Sequence, residues 1–411
     1  MQELDPPAAV VDSRLAAPME AAPLVSWSDI PVELAGLVLG CLPAHVDRVR
    51  FAAVCPQWLA AALQGKVPPP MPMLLVPDGT VYSLPGSEPL RFPDCAGYAD
   101  ACGTGNWLVF SGEDGCFLRD PFSNATVTLP ALSCVRLQLV DDDEMVDEAG
   151  RVWMEMDEGE KLDASKIIFC SPHLIAAIFR LQGDLTGIAV CQPGATSWWS
   201  VRVSQWAYLF RDIVFHQGKL YALDSMDTLF AVDICVNNST GDPCVSQIQE
   251  VIIGFLHYQY MLLPRLLIVK VPYLVESRGA LLVVCRRIDL RLKPRLDRIE
   301  AVAAERNRFE VFEANFEQSS WAQVTTLGDD QVLFLRQRCC RSVSVSHKEV
   351  PRDCIFFLDN DVDVDDPHWH GWAASSSCSV YSMRDGKVST TLPTVSWKHG
   401  TVFATWLFPQ G

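Results

Sequence analysis

A long succession of short apolar runs fills the sequence from residue 73 to its carboxyl end, and this feature most constrains the fold. The runs are rich in Val, Ile, Phe and Tyr, which is typical of β-strands of roughly 4–8 residues. Glycine-containing turn signals separate paired runs, for example Gln217-Gly218, Arg278-Gly279 and Arg384-Asp385-Gly386. The pattern predicts a large region built from β-hairpins.

Two kinds of unit recur within this region. A Trp-containing strand follows a polar break in SWWSV (197–201) and in SWAQV (320–324), and a strand follows a tight turn in GKLYAL (218–223) and in GALLVV (279–284). Repeated hairpins with aromatic anchors favour a β-propeller, and the length predicts roughly five to seven blades. A large β-sandwich or two smaller β domains remain alternatives.

The most apolar stretch, residues 254–275, is interrupted by His257, Pro264, Arg265 and Lys270. A membrane-spanning helix would bury the charges of Arg265 and Lys270 at a cost of about 2.5–3.5 kcal/mol each. The stretch therefore predicts buried strands.

Residues 26–65 show helical periodicity instead. The first helix carries one apolar stripe at the spacing i, i+4, i+7, i+8 and i+12, formed by Ile30, Leu34, Leu37, Val38 and Leu42. A second helix is predicted at roughly 44–51 and a third at roughly 53–63.

In the second helix we expect Val46 and Val49 to point inward, and in the third we expect Val54 and Trp58 to share one side. Three helices in about 40 residues are at the lower edge of independent stability, so such a unit can leave an apolar face for a partner. The alternative is a helical cap packed on the β region.

The helical segment resembles an F-box. The resemblance is carried by Ile30-Pro31-x-Glu33-Leu34 at its start and by Val54-Cys55-x-x-Trp58 at its end. The sequence departs from the family pattern at Ile30, which replaces the usual Leu, at Pro56, where Lys or Arg is common, and at Gly36 within the first helix. The resemblance implies a contact surface for a Skp-family linker protein, and through it for a cullin, formed by Ile30, Pro31, Leu34, Leu37, Val38, Leu42, Val49, Val54 and Trp58.

The β region resembles the kelch-like, propeller-type domain of unknown function (family 295) that follows the F-box in many plant proteins. The residues that carry the match include Arg119-Asp120-Pro121-Phe122, Asp212-Ile213-Val214-Phe215, Tyr273-Leu274-Val275-Glu276-Ser277 and Asp353-Cys354-Ile355-Phe356-Phe357. After an F-box, we expect such a domain to bind the protein that is to be ubiquitinated.

Together these observations predict an α+β multidomain chain in which a small three-helix F-box precedes a mainly-β propeller-like domain. We expect a disordered tail at 1–25, the F-box at 26–65, a Pro-rich linker at 66–72 and a substrate-binding domain at 73–411. The expected function is a non-catalytic substrate-recognition adaptor of a Skp-cullin-F-box ubiquitin ligase that recruits an unknown protein substrate. The alternatives are a propeller-type small-molecule-binding protein or enzyme with a helical appendage, and a non-degradative scaffold.

Composition narrows the classes of partner and compartment. The net charge of −17 opposes binding to the phosphates of nucleic acid and to acidic membrane surfaces. The 15 cysteines include no Cys-x-x-Cys pair, and several lie in apolar runs, which indicates a reducing compartment. We therefore expect a cytoplasmic or nuclear protein, with no nucleic acid or membrane partner.

No catalytic residue, metal ligand or cofactor is predicted. Asp359, Asp361 and Asp363 alternate as in a calcium loop, but Val364 stands where glycine is needed and His370 where glutamate is needed. A solvated acidic loop is the favoured interpretation, with a metal site at His368 and His370 as the alternative. The acidic run 141–150 is expected to be an insertion between strands. The basic segment 286–308 is interpreted as a solvated insertion or a substrate-binding loop, and the substrate-binding residues stay unknown.

Overall fold

The structure of the protein is a computed structural model. It describes residues 26–64, 67–84, 89–103, 107–112, 115–131, 135–139, 153–155, 164–180, 186–202, 209–238, 240–254, 260–263, 266–294, 299–345, 350–358, 378–390, 398–399 and 402–409. The predicted tail (1–25), the acidic run (141–150) and the Asp/His segment (359–370) lie outside the described residues.

The helical module (residues 26–64) contains a short 3-10 turn followed by three α-helices. The turn spans Trp27–Asp29, α1 spans Val32–Gly40, α2 spans His45–Ala52 and α3 spans Pro56–Gln64. The third helix begins three residues later than predicted, since proline fits the first turn of a helix, where its missing N–H has no partner to lose. The small core of the helical module consists of Ala35, Leu39, Phe51 and Ala61.

The expectation for the second helix is half correct. Val46 is buried against the β domain, whereas Val49 is 54% exposed, so the prediction that Val49 points inward is wrong. Phe51 faces the other two helices. At about 3.6 residues per turn, Val49 lies about 60° from Val46 and about 160° from Phe51 around the helix axis, and it is covered neither by the contacts of Val46 nor by those of Phe51.

The β region is a six-bladed propeller, which confirms the predicted fold class. Blade 1 contains β1 Met73–Leu75, β2 Thr80–Ser83, β3 Leu90–Arg91 and β30 Thr405–Leu407. Blade 2 contains β4 Asp100–Cys102, β5 Trp107–Gly112, β6 Gly115–Arg119 and β7 Thr126–Leu129. Blade 3 contains β8 Val135–Leu139, β9 Trp153–Glu155, β10 Ala164–Ser171, β11 Leu174–Arg180, β12 Thr186–Cys191 and β13 Trp198–Arg202.

Blade 4 contains β14 Phe210–His216, β15 Lys219–Asp224, β16 Leu229–Val236 and β17 Pro243–Ile252, and blade 5 contains β18 Tyr260–Leu263, β19 Leu266–Ser277, β20 Ala280–Pro294, β21 Ile299–Asn315 and β22 Ser320–Val324. Blade 6 contains β23 Gln331–Leu335, β24 Arg341–Ser344, β25 Cys354–Leu358, β26 Cys378–Ser382 and β27 Val388–Thr390. A separate hairpin consists of β28 Lys398–His399 and β29 Val402–Phe403.

The ring is closed by pairing the two ends of the β region. Strand β30 runs antiparallel to β1, with Met73 opposite Leu407 and Leu75 opposite Thr405. Trp406 is fully buried, and its indole N–H donates a 3.2 Å hydrogen bond to the carbonyl oxygen of Leu335 in the sixth blade. The carboxyl end of the chain therefore completes the first blade and fastens it to the last.

Two of the predicted turns have the backbone conformation that their residues favour. Gln217 and Gly218 have φ values of 47° and 81°, and Arg278 and Gly279 have values of 53° and 78°. Positive φ at both central residues is the mark of the two-residue type I′ hairpin turn. The repeated units also correspond: GKLYAL and GALLVV form β15 and the start of β20, each the strand that follows the turn.

The described residues of the basic segment, 286–294 and 299–308, are strands and not a loop. Strands β20 and β21 continue through it as an antiparallel pair, from Arg286 opposite Phe309 to Pro294 opposite Ile299. The apolar residues alternate with polar ones from Ile288 to Lys293, a period-two strand pattern that the high charge obscured. Arg286 itself is fully buried rather than solvated, and its guanidinium donates a 2.8 Å hydrogen bond to the Leu358 carbonyl oxygen.

Candidate docking surface

The helical module presents an apolar surface to solvent. We define the docking face as the five exposed Leu and Val residues among the predicted contacts, by the fractions given: Leu34 (51%), Leu37 (67%), Val38 (40%), Val49 (54%) and Val54 (57%). Large exposed apolar patches on soluble proteins usually mark interaction sites. The docking face therefore has the character of a surface that a second protein covers.

The other four predicted contact residues occupy different positions. Pro31 is exposed at the start of α1, while Ile30, Leu42 and Trp58 are half-buried against the core of the module. The Trp58 ring stacks on Phe51 at 4.4 Å, and its indole N–H donates a 3.2 Å hydrogen bond to the Trp27 carbonyl oxygen. Trp58 thus holds the module together as well as bordering its surface.

The module is packed on the propeller by its second helix. Val46 belongs to the core of the first blade, together with Met71 and Met73. The Met71 N–H donates a 2.8 Å hydrogen bond to the Pro43 carbonyl oxygen, and the His45 and Phe122 rings meet edge to face at 5.5 Å. The helices are therefore a packed cap, as one alternative predicted, and they still expose the docking face.

Arg48 joins the same helix to the chain segment that leads into the first blade. It is 9% exposed, and its guanidinium donates hydrogen bonds to the carbonyl oxygens of Leu42 (2.7 Å) and Pro68 (2.5 Å). Burial lowers the pKa of Arg48 from its ordinary value. Sequence reasoning missed this residue, because a basic side chain on a short helix is usually solvated.

A cavity of about 500 Å³ lies between the inner strands of blades 3 to 6. Its charged lining residues are Lys166, Glu276, Arg278 and Arg341, and its polar ones include Gln331, Ser342 and Ser344. Many of these groups are paired with neighbours: Gln331 donates a 2.6 Å hydrogen bond to Ser344 and accepts one of 2.8 Å from Ser342, and Arg278 binds Asp330. The lining is therefore largely part of the propeller's own hydrogen-bond network.

Asp212, one of the residues that carry the family resemblance, ties three blades together. Its carboxylate accepts hydrogen bonds from the Lys166 ammonium in blade 3 and, at 2.7 Å, from the Leu274 N–H in blade 5. Lys166 and Asp212 are 4% and 1% exposed. Although burial alone would lower the Lys166 pKa, the Asp212 carboxylate raises it, so the lysine stays charged. The pair therefore has a structural role in the wall of the cavity, where it links neighbouring blades.

The thiol nearest to a histidine in sequence is also part of the core. Cys170 is half-buried at the edge of the cavity, and burial raises its pKa to about 12, while His173 lies in an exposed turn. Among the described residues, no group of three or more His, Cys, Asp or Glu side chains is placed to hold a metal ion. Within the same residues, no helix has both the length and the apolar character that crossing a membrane requires.

The fold and the docking face together define the class: the chain is a six-bladed propeller protein that carries a three-helix module with an exposed apolar face. Residues 73–382 match the family described as the KIB1-4 beta-propeller, and the chain belongs to that family.

Two relatives from Arabidopsis thaliana resemble most of the chain. "Putative F-box protein At1g65770" is 21% identical over 82% of this chain and 90% of its own length, and "Putative F-box protein At5g55150" is 22% identical over 92% and 96%. Dihydro-heme d1 dehydrogenase NirN in complex with DHE covers 79% of this chain and 73% of its own, at 12% identity and a TM-score of 0.28, a value too low to support any argument.

These comparisons bear on the resemblances drawn from the sequence. They support a plant protein of the F-box and propeller type. The narrower assignment, to the kelch-like domain of unknown function, stays a prediction.

Proposed function

We propose that this protein is the non-catalytic substrate-recognition subunit of a Skp-cullin-F-box ubiquitin ligase. The docking face binds a Skp-family linker, which connects the chain to a cullin, and the propeller (73–411) holds a protein substrate. The single observation that carries the proposal is an apolar face that stays exposed on a module firmly packed against the propeller. The F-box names of the two Arabidopsis relatives agree with it.

Such a subunit acts by proximity. Holding a substrate near the ubiquitin-charged enzyme raises its effective concentration, so the adaptor needs no nucleophile of its own. The packing of Val46 and the hydrogen bonds of Arg48 favour a fixed geometry between the linker site and the propeller. We propose the reduced cytoplasm or nucleus as its location, with 26–65 as the F-box and 66–72 as the linker.

The linker contact is tested by co-purification of the full chain with a Skp-family protein. We expect the double variant Leu34→Asp/Leu37→Asp to lose binding by more than about tenfold, since each central apolar contact contributes about 1–2 kcal/mol or more. Both side chains are exposed, so the fold tolerates the change. Ile253→Asp is the matched control, because Ile253 is 73% exposed on the propeller. Undiminished binding of the double variant would overturn the proposal.

Substrate recruitment needs a separate test. Proteins that co-purify with the full chain are compared with and without proteasome inhibition, in the wild type and in Leu34→Asp/Leu37→Asp. An adaptor enriches partners whose ubiquitination and turnover depend on the intact docking face. Partners that bind equally and keep the same lifetime in both would identify a non-degradative scaffold instead.

A further inference from the structure

Two cysteine thiols face each other on the outer hairpin of the fourth blade. Cys235 in β16 and Cys244 in β17 are directly opposite in the antiparallel register, and their sulfur atoms are 3.0 Å apart. Directly opposed residues have Cα atoms about 4.5–5.5 Å apart, which falls within the spacing of about 4.4–6.8 Å that disulfides require. A bond between the two sulfurs therefore needs no backbone movement.

The two thiols differ in access. Cys235 is exposed, whereas Cys244 is 7% exposed beneath it. An exposed thiol can meet a reagent from solution, and a neighbouring buried thiol can then resolve the product. Core cysteines contrast with this pair: burial raises the pKa of Cys285 and of Cys354 to about 12, which keeps them as unreactive thiols.

We propose that Cys235 and Cys244 form a redox modification site that a low-molecular-weight disulfide, such as glutathione disulfide, converts to an intramolecular disulfide. The Cys235 thiolate attacks one sulfur of the reagent, forms a mixed disulfide and releases one glutathione thiolate. The Cys244 thiolate then attacks the Cys235 sulfur, forms the Cys235–Cys244 bond and releases the second glutathione. Two protein thiols and one glutathione disulfide thus give one protein disulfide and two glutathione thiols.

The bond would join the two strands next to the tip of this hairpin, and the tip contacts the neighbouring blade. The tip is closed by hydrogen bonds of 2.8 Å from the Asn237 N–H to the Asp242 carbonyl and from the Gly241 N–H to the Asn237 carbonyl. The Gln192 side chain, at the end of β12 in blade 3, donates a 3.0 Å hydrogen bond to the Gly241 carbonyl oxygen. Oxidation would therefore slow opening of the hairpin and of its contact with blade 3.

The test uses the full-length chain in glutathione buffers of graded redox potential, followed by alkylation of the remaining thiols. Cleavage before Asp233 and before Asp242, combined with cleavage after Arg265, places Cys235 and Cys244 on separate peptides that contain no other cysteine, so a linked pair of these peptides in mass spectrometry reports the disulfide directly. We expect the linked pair to appear as the buffer becomes oxidising and to vanish with dithiothreitol. Backbone hydrogen exchange at 236–243 should slow in the oxidised protein. Absence of the linked pair at every potential would overturn the proposal.

Single variants test the order of the two steps. With Cys244→Ser the glutathione adduct on Cys235 cannot be resolved, and we expect on the order of tenfold more of it than in the wild type. Cys244→Ala gives the same readout if serine disturbs the buried site. Cys41, an exposed thiol in the helical module, is the internal control, and its adduct should be equal in all variants. Equal Cys235 adducts in wild type and variants would show that Cys244 does not act as the resolving thiol.

Discussion

The Arg48 guanidinium donates a 2.5 Å hydrogen bond to the carbonyl oxygen of Pro68, so the second helix of the module is joined to the segment that leads into the first blade. Proline supplies no N–H, but its carbonyl remains a strong acceptor. The contact restricts movement of the module relative to the propeller. It also leaves the docking face exposed. The geometry between a partner on that face and a ligand of the propeller thus depends on one buried side chain and the packing of Val46.

Replacing Arg48 should loosen this junction. Arg48→Met keeps much of the apolar stem but removes the donors to Leu42 and Pro68, and we expect a loss of about 2–3 kcal/mol in the stability of the junction. Hydrogen exchange of the Met71 amide and proteolysis near residues 65–72 would measure it. Arg50→Met is the control, because Arg50 is 62% exposed and pairs only at 3.4 Å with Asp47, a contact that contributes less than about 0.5 kcal/mol. An equal effect of both variants would contradict the role of Arg48.

Gly36 lowers the stability of helix α1, because glycine has a lower helix propensity than alanine. A Cβ added at Gly36 meets nothing within 4 Å, so Gly36→Ala should stabilise α1 by about 1 kcal/mol through helix propensity alone. Slower amide exchange in 32–40 would show it. Gly254→Ala is the opposite case, because its Cβ would overlap the Met226 carbonyl oxygen and should cost about 1–3 kcal/mol or more. A destabilised Gly36→Ala would mean that the space beside the helix is needed.

The Asp100 carboxylate should make the propeller sensitive to acid. It accepts hydrogen bonds from Arg336 (2.8 Å) and Arg338 (2.5 Å), which link blade 2 to blade 6. Burial alone would raise its pKa, yet the two arginines lower it below the ordinary 3.8. A depressed carboxyl pKa contributes stability that is complete above the unfolded pKa and is lost as the pH falls through the folded pKa.

Asp100→Asn should therefore destabilise the fold by about 3–5 kcal/mol near neutral pH, where it leaves two cations without their anion. The difference in stability between wild type and variant should narrow as the pH falls from the unfolded pKa of about 3.8 through the lower folded pKa, where the wild-type carboxyl becomes protonated. Chemical denaturation at several pH values measures both. Asp329→Asn is the control, since Asp329 is 92% exposed in its pair with Arg384. A gap that does not change with pH would show that the charge of Asp100 is not what stabilises the blades.

Local chemistry explains how far the fold could be predicted. The hairpin turns at Gln217-Gly218 and Arg278-Gly279 depend on backbone conformations that neighbouring residues favour by themselves, so the sequence identified them. Short apolar runs rich in Val, Ile, Phe and Tyr likewise indicated strands between the turns. The strands of the basic segment were missed, because alternating Arg, Asp and Lys side chains look like a solvated run until the partner strand is known.

The candidate site divides in the same way. Periodicity identified the stripe on α1, but it could not say whether the stripe or the face that carries Ala35 and Leu39 would be covered. Leu37 is 67% exposed while Leu39, two residues along the same helix, is 2% exposed against α3 and its neighbours. The roles of Arg48 and Asp212 have no local signature either, since a charged residue in a helix or strand is ordinarily solvated.

The sequence alone therefore determined a helical module followed by a hairpin-rich β region, because periodicity and turn preference act between residues close in the chain. Only the tertiary structure decided the closure of the ring, in which Met73 pairs with Leu407, and the attachment of the module through Val46 and Arg48. These contacts join residues from separate elements, and they form only when several elements bury apolar surface and pair polar groups at once.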